Sequence, residues 1–281
     1  MCSRSVRPRW EALPPEIVHI IMEILVSDRE TLSACSLAAR EFTFAALSCL
    51  GRHIMVDTVG RFRECASLLN KTSAFQHVRS LDLDVPRQRV IHERDWDEYL
   101  TVLEVFASRH TLTRLWLSEA PFYFTDHERK ETVGRIVTSL TATVDELGLY
   151  SCHFSCYTEM ISLIRAFPLC TSLFVRDCVA RETPGEDAFA GLPQHTLRIS
   201  DLELTSSSGH RFLIDVSNLI QDAALDISSL VSFSCEMSTA EIARHTTMIV
   251  AASPIERLQL ACDEAQGLDG TSRFLRMLMF R

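Results

Sequence analysis

Between Leu13 and Leu50 the apolar positions recur with helical spacing and divide into three segments, each with its own start signal. Pro14 and Pro15 suit a helix entry, where a missing N–H costs nothing. Ile17, Ile20, Ile21, Ile24 and Leu25 follow at offsets 0, 3, 4, 7 and 8 and predict a first helix with one inward stripe. Ser27 and Glu30 have the S-x-x-E form of a capping box and open a second helix through Leu32, Cys35 and Ala39. Phe42, Ala45, Ala46, Cys49 and Leu50 repeat the spacing in a third. About 38 residues holding three helices cannot bury three apolar faces among themselves, so part of this surface is expected to pack on something else.

The run LPPEIVHIIMEILVSDRETLSACSLAAREF resembles an F-box, the helical module by which ubiquitin-ligase receptors dock onto a Skp-type adaptor. The likeness covers roughly residues 11–50 and lies in the order and spacing of its parts. These are Leu13-Pro14, Glu16-Ile17, Ile20, Ile21 and Leu25, Asp28, Leu32, Cys35-Ser36-Leu37, Arg40 and the aromatic Phe42. The resemblance implies that Leu13, Pro14, Glu16, Ile17, Ile20, Ile21, Leu25, Leu32, Leu37, Arg40 and Phe42 bind the adaptor, and through it a cullin. Residues 1–10 are expected to be a flexible tail.

Beyond residue 50 the chain repeats. HVRSLDLD, TLTRLWLSEA, TVDELGLYSC, LCTSLFVRDC, RISDLELTSS, DISSLVSFSC and PIERLQLACD read as strands, with central leucines at 81, 115, 147, 173, 202, 230 and 258. His53–Val56 is a possible weaker start. Helical patterns lie between them: Tyr99, Val102, Leu103 and Phe106; Val133, Ile136, Val137 and Leu140; Tyr157, Met160, Ile161 and Ile164. Others run through Phe212, Val216, Leu219 and Ala223, and from Ser238 with Glu241 three residues on. A doubly wound sheet would want strands apolar on both faces and phosphate-cradling glycines, and neither sign is present. The steps of 26 to 34 residues instead resemble leucine-rich repeats, LxxLxLxx(N/C). The expected fold is therefore α/β: a short three-helix F-box followed, over 51–281, by an irregular leucine-rich-repeat solenoid.

In that register Cys152, Cys178 and Cys235 share one turn position and read as small buried thiols, and at Cys152, His153 and Cys156, whose CxxxC spacing fits no structural zinc pattern well, the reading is buried thiols rather than a zinc site. Strand alternation sends Leu115 and Leu117 inward and Trp116 outward. The same counting places Tyr150, Phe174, Val231 and Phe233 on the open face. Trp116, Tyr150 and Phe174 on consecutive strands, with Arg114 and Arg176 nearby, are residue types that dominate interface energy, and they are the expected anchor for a target protein.

Composition narrows the function. The 281 residues carry 28 Lys plus Arg against 37 Asp plus Glu, net −9, with 47% apolar and 23% charged residues, which fits a folded chain. The acidic balance disfavours a nucleic-acid partner. Ten cysteines without a CxxC pair fit a reducing compartment, and IVHIIMEILV is too short and too polar to span a membrane. A cytoplasmic or nuclear location follows as an expectation.

No GxSxG, HExxH, GxxxxGK[ST] or GxGxxG occurs, so neither catalysis nor a cofactor is expected of this chain. His92, Glu93, Asp95 and Asp97 read as a solvated loop, Ser208-Gly209-His210 as a turn, and TSRFLRMLMFR as a C-terminal amphipathic helix without a polar cap. Two functions are compatible with these residues. One is the substrate receptor of a Skp/cullin/F-box ubiquitin ligase, a part of the protein-degradation pathway. The other is a leucine-rich-repeat scaffold whose N-terminal helices merely cap the repeats.

Overall fold

A computed structural model describes residues 13–69, 78–84, 93–120, 122, 127–180, 189, 191–205, 224–237, 249, 251–263 and 274–280. The expected tail at 1–10, the helices through Phe212 and from Ser238, and the turn at Ser208 lie outside them. The N-terminal helices are α1 (Pro15–Ile24), α2 (Arg29–Ala38) and α3 (Arg40–Leu50). There follow β1 (His53–Val56), α4 (Val59–Leu69), β2 (Ser80–Asp84), α5 (Glu93–Arg109), β3 (Arg114–Ser118), α6 (His127–Leu140), β4 (Glu146–Tyr150), β5 (His153–Phe154) and α7 (Tyr157–Arg165). The rest are β6 (Ser172–Arg176), β7 (Val179–Ala180), β8 (Leu197–Arg198), β9 (Asp201–Thr205), β10 (Leu225–Asp226), β11 (Ser232–Met237), β12 (Arg257–Asp263) and β13 (Phe274–Phe280).

The protein is α/β. Its main sheet has the order β1-β2-β3-β4-β6-β9-β11-β12-β13, parallel throughout except for the antiparallel edge strand β13. The order follows the chain and never reverses, so the crevice that a doubly wound sheet opens at its switch point is missing from it. β5 with β7 and β8 with β10 form two short parallel ladders beside it. One face of the main sheet is covered: Phe62 of α4, Phe106 of α5, Ile136 of α6 and Ile164 of α7 share a single core with Leu81, Leu115, Leu147, Leu173 and Leu202. The other side chains of each strand remain half-exposed, as the alternation along β2, β3 and β9 shows.

Apolar residues repeat in three columns. Val78, Leu112, Val144, Cys170, Ile199 and Leu230 are buried just before their strands, and the two inward residues of each strand follow at fixed spacing. Backbone pairing aligns Leu81, Leu115, Leu147, Leu173, Leu202, Phe233 and Leu258. This corrects the last unit but one. Leu230 occupies the column before the strand, not its centre, so Phe233 points inward and is 1% exposed, while Ser232 and Ser234 take the outward positions. Cys235 is accordingly an inward strand residue equivalent to Leu204, and only Cys152 and Cys178 share the turn position.

Further local readings change. The cap of α2 is Asp28, whose carboxylate accepts from Thr31 N at 3.0 Å and from its hydroxyl at 2.7 Å. An Asp at that place adds a charge favourable to the helix dipole, which Ser27 would not. His92 lies outside the described residues, but the rest of the acidic segment is helical: α5 starts at Glu93, and Trp96 in its first turn is already buried. The described part of the C-terminal run, Phe274–Phe280, is strand β13, paired along its length with β12, rather than a helix.

Candidate functional site

The N-terminal helices have a core of their own, separate from that of the sheet: Val18, Met22, Leu32, Ala45, Ala46 and Cys49, with Leu13, Leu25, Cys35, Phe42 and Leu50 half-buried around it. α1 turns a different stripe inward than its spacing predicts. Val18 and Met22 face the core, whereas Ile17, Ile20, Ile21 and Ile24 are 42%, 51%, 37% and 74% exposed. A second apolar run on the same helix explains the exchange, because 18, 22 and 25 also recur with helical spacing. Leu37, Phe44 and Leu47 are exposed as well. Pro14, just before α1, and Glu16, in its first turn, are exposed. Leu32 is wholly enclosed and holds the three helices together instead of meeting a partner. Arg40 opens α3. At the junction with the sheet, Arg52 bridges to Glu23 at 2.8 Å.

On the open face of the sheet Trp116, Tyr150 and Phe174 form one cluster. Ring centroids lie 5.1 Å apart for Trp116 and Tyr150 and 5.4 Å for Trp116 and Phe174, in tilted geometry. Trp116 rests on Gly148 of the next strand, whose absent side chain leaves the ring its seat: a Cβ there would stand 2.9 Å from Trp116 Cγ. The indole Nε1 donates to Glu146 Oε1 at 2.8 Å, and the same oxygen accepts from Arg114 Nε at 2.6 Å. The Arg114 guanidinium stacks 4.3 Å from the indole centroid, a cation–π contact. Arg176 is exposed, 3.7 Å from the Asp177 carboxylate.

The sheet therefore brings together all five residues expected of a target site, with the rings half-buried against one another. Counting along the strands also puts Gly148 on this face, but its role as a seat and that of Glu146 as acceptor come from the structure. A glycine inside a strand was the available signal, since it marks close approach of another group.

Electrostatics around the rings follow from partial burial. Burial pushes the Tyr150 phenol up to about 12, with the nearby Glu203 carboxylate adding to it against the pull of Arg176 and Arg114. Burial also raises the Asp82 carboxyl and lowers His53. Outside the cluster, Cys152 Sγ donates to Leu117 O at 3.2 Å and Cys178 Sγ to Leu149 O at 3.4 Å, the same carbonyl on successive strands. Among the described residues no group of three or more His, Cys, Asp or Glu is placed to hold a metal ion.

No family model, curated protein or solved structure matches the chain. Among the described residues, no helix is long and apolar enough to cross a membrane.

Proposed function

We propose that this chain is the substrate-recognition subunit of a Skp/cullin/F-box ubiquitin ligase. In this reading α1–α3 are an F-box that docks on a Skp-type adaptor, the units after residue 50 are an irregular leucine-rich-repeat solenoid, and its open sheet face holds a target protein. Ubiquitin transfer belongs to other subunits, and the working compartment is the cytoplasm or nucleus.

One observation carries the proposal. Of eleven large apolar residues exposed among the described ones, eight (Ile17, Ile20, Ile21, Ile24, Val26, Leu37, Phe44 and Leu47) belong to the short N-terminal unit. Such a concentration is costly in water and is expected of a surface that spends its life against a partner. A mere end-cap for the repeats would direct its apolar face toward the sheet. Here α1 turns Ile20 and Ile24 away from both cores.

The test is co-expression with a Skp-type adaptor. Ile20→Asp with Ile24→Asp should abolish co-purification while shifting thermal unfolding little, because surface changes of this kind cost the fold within about 0.5 kcal/mol. Undiminished capture of the adaptor by this variant refutes the docking role. Leu13→Ala is a poorer probe, since Leu13 also packs on the helical core.

A further inference from the structure

The open sheet face also carries a charge pattern that narrows what it holds. We propose that its ligand is an extended, basic, unphosphorylated peptide segment with an apolar centre, an inference that rests on reading this face as the target site.

The guanidiniums come first, because arginines beside an aromatic cluster would ordinarily favour an acidic or phosphorylated ligand. Here each has a carboxylate. Arg114 is tied to Glu146 at 2.6 Å, Arg257 of β12 to Asp201 at 3.2 Å, and Arg176 stands 3.7 Å from Asp177. A phosphate would have to displace these partners. Across the main-sheet strands β2, β3, β4, β6 and β9 this face presents five carboxylates, Asp82, Asp84, Glu146, Asp201 and Glu203, against two arginines, Arg114 and Arg176. The face is net acidic, in keeping with the chain's overall −9.

Position adds to charge. Register puts Asp82, Trp116, Gly148, Phe174 and Glu203 in a single row across β2, β3, β4, β6 and β9. The aromatic centre is thus bracketed by a carboxylate on either side. Asp82 is half-buried, its carboxyl raised by that burial, with His53 and Arg114 the cations that pull against it. An incoming ammonium or guanidinium would favour its charged form. Four strand steps of about 4.8 Å separate Asp82 from Glu203, roughly 19 Å, which an extended chain covers in about six residues. The segment that fits has two basic residues about six apart, with apolar side chains between them to lie on the rings. Lys and Arg suit such a place twice over, since the aromatic faces attract cations as the carboxylates do.

The experiment uses the full-length chain, a displayed library of random nonapeptides, and three synthetic nonapeptides measured by fluorescence polarisation. The first has Arg second, Leu-Phe in the middle and Lys eighth; the others replace both basic residues by Glu or by phosphoserine. The expected result is enrichment of peptides with paired Lys or Arg and binding of the first peptide alone. Asp82→Asn with Glu203→Gln should weaken that binding about tenfold or more while leaving the circular dichroism spectrum unchanged, and added salt should weaken it further.

Enrichment of acidic library peptides, or binding of the Glu or phosphoserine peptide, that is lost in Trp116→Ala or Phe174→Ala overturns the basic class but keeps the face as the target site. Enrichment that survives both aromatic truncations shows that the face itself is not the site. No enrichment at all overturns both. Should either aromatic variant fail to fold, the charge-neutralising double variant, which truncates no ring, decides between charge recognition and none.

Discussion

Replacing Gly148 by Ala adds one methyl group directly beneath the Trp116 indole, 2.9, 3.0 and 3.1 Å from Cγ, Cδ2 and Cδ1. Carbon atoms prefer 3.5–4.0 Å, so the whole side chain must move, and because Cγ is the root of the ring a flexible tip cannot absorb the shift. Moving it off its rotamer costs about 1 kcal/mol. The indole hydrogen bond to Glu146, half-exposed, is worth about 1 kcal/mol, and the stack with Arg114 about 0.5 kcal/mol. Against this total of about 2.5 kcal/mol, Ala in a strand gains about 0.5–1 kcal/mol over Gly by restricting the unfolded chain.

The single variant should therefore lose about 1.5–2 kcal/mol, and the sign should reverse when the ring is absent. In a Trp116→Ala background the same substitution should stabilise by about 0.5–1 kcal/mol. Urea unfolding followed by far-ultraviolet circular dichroism on the four proteins of the cycle measures both values. A loss of equal size in the two backgrounds would show that Gly148 is needed for backbone reasons and that the seat for the indole is not what it provides.

Leu32→Ala, at the centre of a helical core distinct from that of the sheet, should cost about 2–5 kcal/mol and unfold α1–α3 while the sheet melts as before, seen as an early separate transition in calorimetry. Buried Cys152 and Cys178 should resist iodoacetamide until denaturant is added, whereas half-exposed Cys35 and Cys156 react first by mass spectrometry; reaction of all at one rate would contradict the burial. Burial pushes Cys170 up to about 12 and Cys65 to about 11, so both keep their protons in the fold while the unfolded chain loses them near 9. Their contribution is complete below pH 9 and is lost as pH rises toward 11 and 12, at most about 1.4 kcal/mol per thiol and pH unit. Cys170→Ala should flatten the alkaline fall in the urea midpoint, and an unaltered slope would refute the assignment.

What the sequence reveals depends on whether a local pattern has one solution. The strands centred on Leu81, Leu115, Leu147, Leu173 and Leu202 stand where their alternation places them, because the residue just before each leucine (Ser80, Arg114, Glu146, Ser172 and Asp201) is polar and would be buried in a shifted frame. The unit around Leu230 allowed two frames, since 227, 230 and 233 are all apolar, and the choice fell to neighbouring strands that pair with Phe233. Helix α1 posed the same problem in another period: two apolar stripes, only one of which finds a core. Of the target-site cluster, the five side chains follow from alternation alone. The acceptor Glu146 and the seat at Gly148 do not, because they depend on how one ring lies across the next strand.

The chain-order sheet has a consequence for how quickly the protein reaches its native state. Parallel sheets are usually slow to fold, since strands distant in sequence must find one another. Among the described residues no parallel strand pair reaches further along the chain than from Leu81 to Leu115, so each pairing closes a loop of similar, modest size and the entropic toll does not grow as the sheet does. Assembly can begin wherever a strand pair is best packed and spread to both sides one strand at a time. Substitutions near the middle should then slow folding, while those at β1 or β12 should chiefly hasten unfolding.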